Sequence, residues 1–318
     1  MEKYSRQIIL KEIGTEGQKK LQEAIVAIVG VGALGTVAAE LLARAGVGKL
    51  LLIDRDVVEE SNLPRQILFI ENDLGRSKAV AGKEKLEKIN SSISVEAAAI
   101  HLHPKNIDLL NASNLILDCT DNLQTRFLLN DYCGKNQKPW IYAAAIRTQG
   151  YVFPILPGKP CLRCFMKQET GETCDTVGVL NTITASIASL QTTLALKMIL
   201  GEEVKPQLYQ YDIWNQEFKT LVVKTNPACP TCQGNYERLY QEQEIRSIQF
   251  CSTGRYQIMG KPQNLGAVQQ RWEKIGVVRR ENGLLQFRNL LLFEDGRAVI
   301  KADSEQEAWA SYSKWIGN

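Results

Sequence analysis

Two residue patterns in this 318-residue chain could do chemistry. The first is a set of four thiols in two pairs, Cys161-Leu-Arg-Cys164 and Cys229-Pro-Thr-Cys232. Four thiolates in that arrangement suit tetrahedral Zn²⁺, and a closed set of four sulfurs is structural because no position is left for water. The competing reading is four buried reduced thiols. Pro and Gly flank both pairs, as in a metal knuckle, and favour zinc. The second pattern is Gly30-Val-Gly32-Ala-Leu-Gly35, followed by Asp54. Glycines spaced G-x-G-x-x-G give a tight turn, close backbone approach to a phosphate, and close helix–strand packing. A carboxylate about 20 residues later can accept hydrogen bonds from a ribose. The pattern points to a nucleotide without saying which one.

Past Asp54 the chain carries Asn62, Arg65 and Gln66, with Lys78 at the head of the next helical stretch. An ordinary dinucleotide site needs only the acid. A phosphate tail longer than a glycine turn can neutralise needs additional cationic and amide donors. Taken singly, each residue also fits a solvated charged loop; the set is harder to explain that way. Residues 118–122 read Asp-Cys-Thr-Asp-Asn, directly after an apolar strand. A carboxylate at that end of a parallel strand can hold Mg²⁺ against substrate phosphates. Asp121, further into the loop, is the candidate, and Asp118 fits a local backbone cap equally well. Cys174 lies alone in a polar loop, as either a nucleophile or redox thiol or an incidental surface cysteine. Glu169, Glu172 and Asp175 outweigh Lys167 around it and would raise its pKa. Cys119, Cys133 and Cys251 read as core or incidental residues, and His101 and His103 as loop residues without a third ligand.

These residues need a scaffold, and the hydrophobic pattern supplies one. Strands are predicted at 25–30, 49–53, 93–99, 114–118, 140–144 and 151–156, and helices at 33–45, 75–90 and 124–137. The alternation implies an α/β, Rossmann-like, doubly wound and mainly parallel sheet. Residues 1–22 read as an arm and a short helix. A helix at 182–200 is apolar on most faces, which implies burial, here against a second subunit in a homodimer. Strands near 207–223 lead to the second cysteine pair. The domain division is expected at 1–244 and 245–318, the second a small α+β appendage. There, Glu294-Asp-Gly-Arg297 reads as a hairpin turn and Ser304-Glu-Gln-Glu307 as a capping box opening a terminal helix.

A net charge of +3 gives no electrostatic case for nucleic acid or a membrane surface. The most apolar window, 24–47, carries Glu40 and Arg44, which a membrane span would not readily tolerate and which fit an i,i+4 helix pair. No signal peptide is expected in the polar residues 1–20, and the cysteine pattern favours metal over disulfides in a cytoplasmic protein.

Taken together, these pieces resemble the ThiF/MoeB family, bacterial relatives of ubiquitin-activating enzymes. The matching segments are Tyr4-Ser-Arg-Gln7, the glycine turn, Asp54 with Asn62-Leu-Pro-Arg-Gln66, Gly75-Arg-Ser-Lys78, Asp118-Cys-Thr-Asp-Asn122, both cysteine pairs, and Cys174 before Gly178-Val-Leu180. They span about residues 3–235 in order. The resemblance implies adenylation of the C-terminal glycine of a ubiquitin-like sulfur-carrier protein with Mg-ATP, releasing pyrophosphate. It implies that Asp54 binds the ribose, that Arg65 and Lys78 bind the phosphates, and that Asp121 holds Mg²⁺. Asn62, Gln66 and Asn122 would line the ATP site, and Arg6 would reach the partner subunit's ATP. A cysteine desulfurase or similar protein would donate the sulfur. The tail is similar to an extension on some ThiF proteins and unlike a rhodanese domain, which favours thiamine thiazole synthesis over molybdopterin synthesis. The chain departs from the family where Asn181-Thr182 replaces the usual Gly or Ala then Pro. Modified tRNA or a peptide is the alternative carboxylate. Readings of another class are a nicotinamide-dependent oxidoreductase, for which Arg65, Lys78 and Asp121 are surplus, and a non-catalytic binding scaffold.

Overall fold

The computed structural model describes residues 2–166, 177–240, 247–250, 254–281 and 283–317. Cys174 and Cys251 lie outside them. The chain divides into two compact units, Met1–Gln241 and Glu242–Asn318.

The first unit opens with two short helices, α1 (Ser5–Ile8) and α2 (Gly14–Glu23). Its sheet comprises β1 (Ile25–Val29), β2 (Lys49–Ile53), β3 (Ser94–Ala98), β4 (Leu115–Asp118), β5 (Trp140–Ile146), β6 (Gln149–Ile155), β7 (Gln207–Asp212) and β8 (Glu217–Val222). The spatial order is β3-β2-β1-β4-β5-β6-β7-β8, parallel through the first five and antiparallel from β5 onward. The strand order reverses between β1 and β4. Loops leaving the carboxyl ends of those neighbours diverge and open a crevice. The glycine turn leaves β1, and the Asp118–Asn122 loop leaves β4.

Alternation along the strands feeds two cores. Val26, Ile28, Leu50, Leu52 and Leu117 pack on one face with α3 (Ala33–Ala45), α4 (Lys78–Ile89) and α6 (Asn181–Leu200). Ala27, Val29, Leu51, Ile53 and Ile116 pack on the other with α5 (Leu123–Lys135) and the cysteine knuckles. Each Val or Ile so buried stabilises the sheet by about 2 kcal/mol.

The helix predicted at 75–90 begins only at Lys78, because Gly75 takes a left-handed φ of 83° and Ser77 is extended. Strands 140–144 and 151–156 extend to Trp140–Ile146 and Gln149–Ile155 and pair as an antiparallel hairpin. Two residues, Arg147 and Thr148, join them, and a parallel connection needs a dozen or more. Helix α6 is long and apolar enough to cross a membrane by composition, yet it lies along α3 and the sheet. Ile183, Ile187, Ala188, Leu194 and Ala195 are buried within the chain, and Leu190, Leu196, Met198 and Ile199 are half-buried. The Glu40–Arg44 pair forms on α3 at 2.7 Å.

The second unit is α+β. Six antiparallel strands run in the order β11-β12-β13-β14-β10-β9. They are β9 (Ser247–Phe250), β10 (Arg255–Ile258), β11 (Val278–Glu281), β12 (Leu284–Phe287), β13 (Leu290–Phe293) and β14 (Ala298–Lys301), with α7 (Leu265–Glu273) and α8 (Glu305–Trp315). Trp272 of α7 stacks on Phe287 at 5.0 Å in its core. The 294–297 turn closes the β13–β14 hairpin as expected, with Gly296 at φ 85°. Ser304 caps α8 through the Glu307 N–H, but the Glu307 carboxylate accepts from Asp303 N–H, one residue before the bond a full capping box requires.

Candidate nucleotide site and metal centre

The glycine turn is built by contacts that exclude side chains. A Cβ on Gly35 would lie 1.9 Å from the Gly30 carbonyl oxygen, and one on Gly30 would lie 2.7 Å from the Cys119 carbonyl. Gly32 differs. A Cβ there meets nothing closer than Gln66 Nε2 at 3.8 Å, so the missing side chain leaves a cradle in front of α3. No side chain caps the first turn of α3, so its N–H groups remain available for an anion.

Asp54, at the end of β2, is buried. Its Oδ2 accepts the Val31 N–H at 2.6 Å and its Oδ1 the Asp56 N–H at 2.7 Å. The acid expected on the ribose therefore also pins the glycine turn. Only the pairing of β1 with β2 brings Val31 and Asp54 together, so the sequence pattern carried no sign of that bond. Burial pushes the Asp54 carboxyl up, opposed chiefly by Lys78. Lys78 is buried at the start of α4, its Nζ 3.7 Å from Asp56 Oδ2. Burial alone would lower its pKa, but Asp56, Asp54, Asp121 and Glu59 together hold it above the ordinary lysine value. Lys78 is thus a buried cation under the influence of acids in the loop after β2 and, through Asp121, the loop after β4. Asp56 was not singled out from sequence; its spacing two residues beyond Asp54 was the available signal.

Asn62 accepts the Glu59 N–H through Oδ1 at 3.1 Å and shapes the loop. Gln66 is buried, and its Oε1 has no hydrogen-bond partner among the described residues, an acceptor that a ligand hydroxyl or amine would satisfy. Arg65 is half-buried and donates to the Ser61 carbonyl at 2.6 Å, without a direct bond to the other site residues among the described residues. The Gly32 cradle, the uncapped helix, the orphaned Gln66 oxygen and the Lys78 cation fit a nucleotide with an anionic phosphate tail.

On the β4 side, Asp121 is exposed and Asn122 is the N-cap of α5, accepting the Thr125 N–H at 2.8 Å. Asp118 is wholly buried. It accepts the Thr120 N–H at 3.0 Å and the Thr120 hydroxyl at 2.7 Å, and faces Arg126 Nε at 3.2 Å. It is a backbone organiser, one of the two roles its sequence allowed. An exposed carboxylate in the loop after a parallel strand is of the oxygen-donor type that Mg²⁺ takes. Arg6 is exposed on α1, and its side chain makes no hydrogen bond or ion pair with the other described residues.

The four knuckle cysteines converge. Cys161 Sγ lies 3.9 Å from Cys164, 3.4 Å from Cys229 and 3.6 Å from Cys232, and Cys164 lies 3.5 Å from Cys232. All four sulfurs lie within 4.8 Å of one another. Tetrahedral Zn²⁺ with bonds of about 2.3 Å sets sulfurs roughly 3.8 Å apart, which this cluster matches. Two α5 residues hold both knuckles, and sequence reading missed them. Asn130 accepts the Leu162 N–H at 2.9 Å and donates to the Thr231 hydroxyl at 3.0 Å. Asp131 accepts that hydroxyl at 2.5 Å and the Arg238 N–H at 3.0 Å. A buried Asn-Asp pair in an otherwise apolar stretch was their only sequence signal. Cys119 and Cys133 are buried, and burial pushes both thiols well up, as inert core residues require. His101 sits in its loop against Arg55, with Nδ1 3.3 Å from the guanidinium.

Comparison with known proteins agrees with this arrangement. The model of the ThiF family matches residues 4–231. The sulfur carrier protein ThiS adenylyltransferase of Bacillus subtilis is 36% identical over 333 aligned positions, covering 99% of each chain. The molybdopterin-synthase adenylyltransferase of Escherichia coli is 37% identical and covers 96% of its own length but 73% of this chain. Among solved structures, E. coli MccB with MccA-N7isoASN superposes with a TM-score of 0.65 at 25% identity, over 72% of this chain and 74% of that one.

Proposed function

The chain belongs to the ThiF family, and on that premise we propose that it adenylates the C-terminal glycine of a ubiquitin-like sulfur-carrier protein, in thiamine thiazole synthesis. The observation that carries the reaction is the meeting of the β1 and β4 loops at the reversal in strand order, where Gly30 packs on the Cys119 carbonyl, with the buried Lys78 cation beside Asp56. The thiamine branch is supported by the tail, since the Bacillus relative matches 99% of the chain and the molybdopterin relative 73%.

The carrier's terminal carboxylate attacks the α-phosphorus of ATP. A carboxyl–phosphorus anhydride bond forms, the bond from α-phosphorus to the bridging oxygen breaks, and pyrophosphate leaves with that electron pair. The nucleophile is already an anion, so no general base is needed. The protein has to place two anions together and offset their repulsion. In this reading α3 and the Gly32 cradle receive phosphate, Lys78 and Arg65 neutralise it, Asp54 accepts from the ribose, and Asn62, Gln66 and Asn122 shape the walls. Asp121 would hold Mg²⁺, which neutralises phosphate charge as it builds on the leaving group. The cysteine cluster would hold a structural Zn²⁺ outside this chemistry. Thiols that must stay reduced favour the cytoplasm, and the sulfur would come from a cysteine desulfurase or similar donor.

Pyrophosphate exchange into ATP tests the reading. It should require the thiazole-pathway carrier with its terminal glycine intact, and exchange supported only by the molybdopterin carrier would move the protein to the other branch.

The protein is further read as a homodimer. Ile9 is 73% exposed and Leu10 52%, beside Arg6, and such an apolar arm favours docking on a second copy. Arg6 would then serve the neighbour's ATP. Inactive Arg6→Ala and inactive Asp121→Ala chains, mixed under subunit exchange, should recover about a quarter of the wild-type sites, because half of the mixed dimers' sites are intact. No recovery despite verified exchange would assign Arg6 to its own subunit or to no site.

Cys174 is assigned to the step after adenylation: its thiol attacks the acyl carbon of the acyl-adenylate, a thioester forms, the acyl–phosphate bond breaks with AMP leaving on that electron pair, and the thiol proton passes to solvent. Cys174→Ala should keep pyrophosphate exchange within about twofold and lose the covalent carrier–enzyme adduct seen by mass spectrometry. Loss of exchange would place Cys174 in the adenylation site, and an unchanged adduct would make it a dispensable surface thiol.

A further inference from the structure

Asp121 sits in the middle of a short loop yet is expected to meet a divalent cation at a fixed place. An exposed side chain on a loose loop cannot do that cheaply, so something must fix the backbone on either side of it. The loop's downstream side is fixed by the Asn122 cap on α5. Its upstream side is fixed by two buried charges. Arg126, one turn into α5, donates through one terminal nitrogen to the carbonyls of Thr120, in a very short bond, and Ala143 at 3.1 Å. Its Nε faces Asp118 Oδ2 at 3.2 Å, and its guanidinium lies 4.9 Å from the Tyr142 ring centroid. Asp118 in turn grips Thr120 through both its N–H and its hydroxyl. Thr120 is therefore held at its amide, hydroxyl and carbonyl, immediately before Asp121. The Ala143 bond ties the same guanidinium to β5, so the loop is referenced to the sheet and not only to its own helix.

We propose that Arg126 is a positioning residue for the Asp121 metal site: the Arg126–Asp118 pair clamps Thr120 so that the Asp121 carboxylate is presented to the cation in one orientation. This rests on the assignment of Asp121 as the Mg²⁺ ligand. Outer partners that orient metal ligands typically change affinity by about 10–100-fold when removed. Lysine cannot replace the arginine fork, because a single ammonium cannot reach two carbonyls and a carboxylate in one plane. Burial pushes the Asp118 carboxyl up, and Arg126 is the largest influence opposing it, so the clamp loses its charge partner when the guanidinium goes.

The test is Mn²⁺ affinity, measured by electron paramagnetic resonance on the full chain saturated with a non-hydrolysable ATP analogue, beside thermal melting. Arg126→Lys should weaken Mn²⁺ binding about tenfold, while the affinity for the metal-free analogue changes less than about threefold. Thr120→Val, which removes the hydroxyl held by Asp118 and keeps the volume, should weaken Mn²⁺ in the same direction, and it carries the test if Arg126→Lys does not fold. Asp121→Asn is the reference. If it leaves Mn²⁺ affinity unchanged, the Mg²⁺ assignment itself fails. If Asp121→Asn weakens Mn²⁺ but neither Arg126→Lys nor Thr120→Val does, the assignment stands and the clamp is overturned.

Discussion

Changing Asp121 to Ala is expected to reduce pyrophosphate exchange by at least ~10³-fold, about 4 kcal/mol in the barrier, with no loss of fold. The size of the effect follows from the chemistry. Two anions must meet, and on the proposed assignment the cation that would screen them loses its Asp121 carboxylate ligand. The fold should survive because Asp121 is exposed, whereas its neighbours Asp118 and Asn122 carry the loop's internal bonds. An exposed substitution of this kind changes stability by about 0.5 kcal/mol or less. Lys78 should remain charged in the variant, because Asp56 and Asp54 still face it from within the same site. The variant should therefore still bind ATP and fail in the transfer. Near-normal exchange by Asp121→Ala would show that the metal is held elsewhere, and a large drop in melting temperature would show that the residue is structural.

How much of this site was legible beforehand depends on how local the signal was. Gly30, Gly32, Gly35 and Asp54 were readable because a turn and a strand end announce themselves within a few residues. The cysteine pairs were readable because ligand spacing is itself a constraint on the chain. Helix α3 falls on its expected span, Ala33–Ala45, for the same reason: a glycine on either side and one amphipathic pattern between. What was not legible lives on contacts between distant segments. Gln191 reads as an ordinary polar residue on a helix, but it is wholly buried and donates to the carbonyls of Asp118 and Ile141, each at 2.9 Å. That helix packs on α3 and the sheet of its own chain through residues such as Ile183, Ile187 and Leu194, while Leu190, Leu196 and Met198 stay half-buried. Asn130 and Asp131 likewise look like any polar pair until the fold brings both knuckles to them. The two-residue β5–β6 connection was not legible either, because residues 145–146 and 149–150 extend both strands beyond the spans 140–144 and 151–156 that the apolar pattern marks.

The zinc assignment yields the second large effect, on stability. Replacing Cys229 with Ser should lower the zinc content from about one per chain to near zero and lower the melting temperature by more than about 10 °C. Structural Zn²⁺ in small sites contributes an apparent free energy of about 10–16 kcal/mol, comparable to the whole stability of a domain. Cys229 is fully buried, so the serine would also leave a hydroxyl in the protein interior. The knuckles pack on the α5 face of the sheet, opposite α6, with Cys161, Cys164 and Cys229 in the same core as Phe127 and Leu128. Loosening is therefore expected first in segments 157–166 and 224–240, and as faster proteolysis there, and not in the long helix between the pairs. The nucleotide site should be affected far less. Its glycine turn is pinned by Asp54, and the start of α5 is held by its Asn122 cap about two turns, and by Arg126 about one turn, before Asn130 and Asp131 meet the knuckles. At a temperature where the Cys229→Ser protein remains folded, its affinity for an ATP analogue should stay within about threefold of wild type. Metal analysis that finds no zinc in freshly purified, reduced wild-type protein would remove the assignment. If zinc is present but its loss abolishes nucleotide binding as well, the two sites are one cooperative unit and α5 transmits the damage from one end to the other.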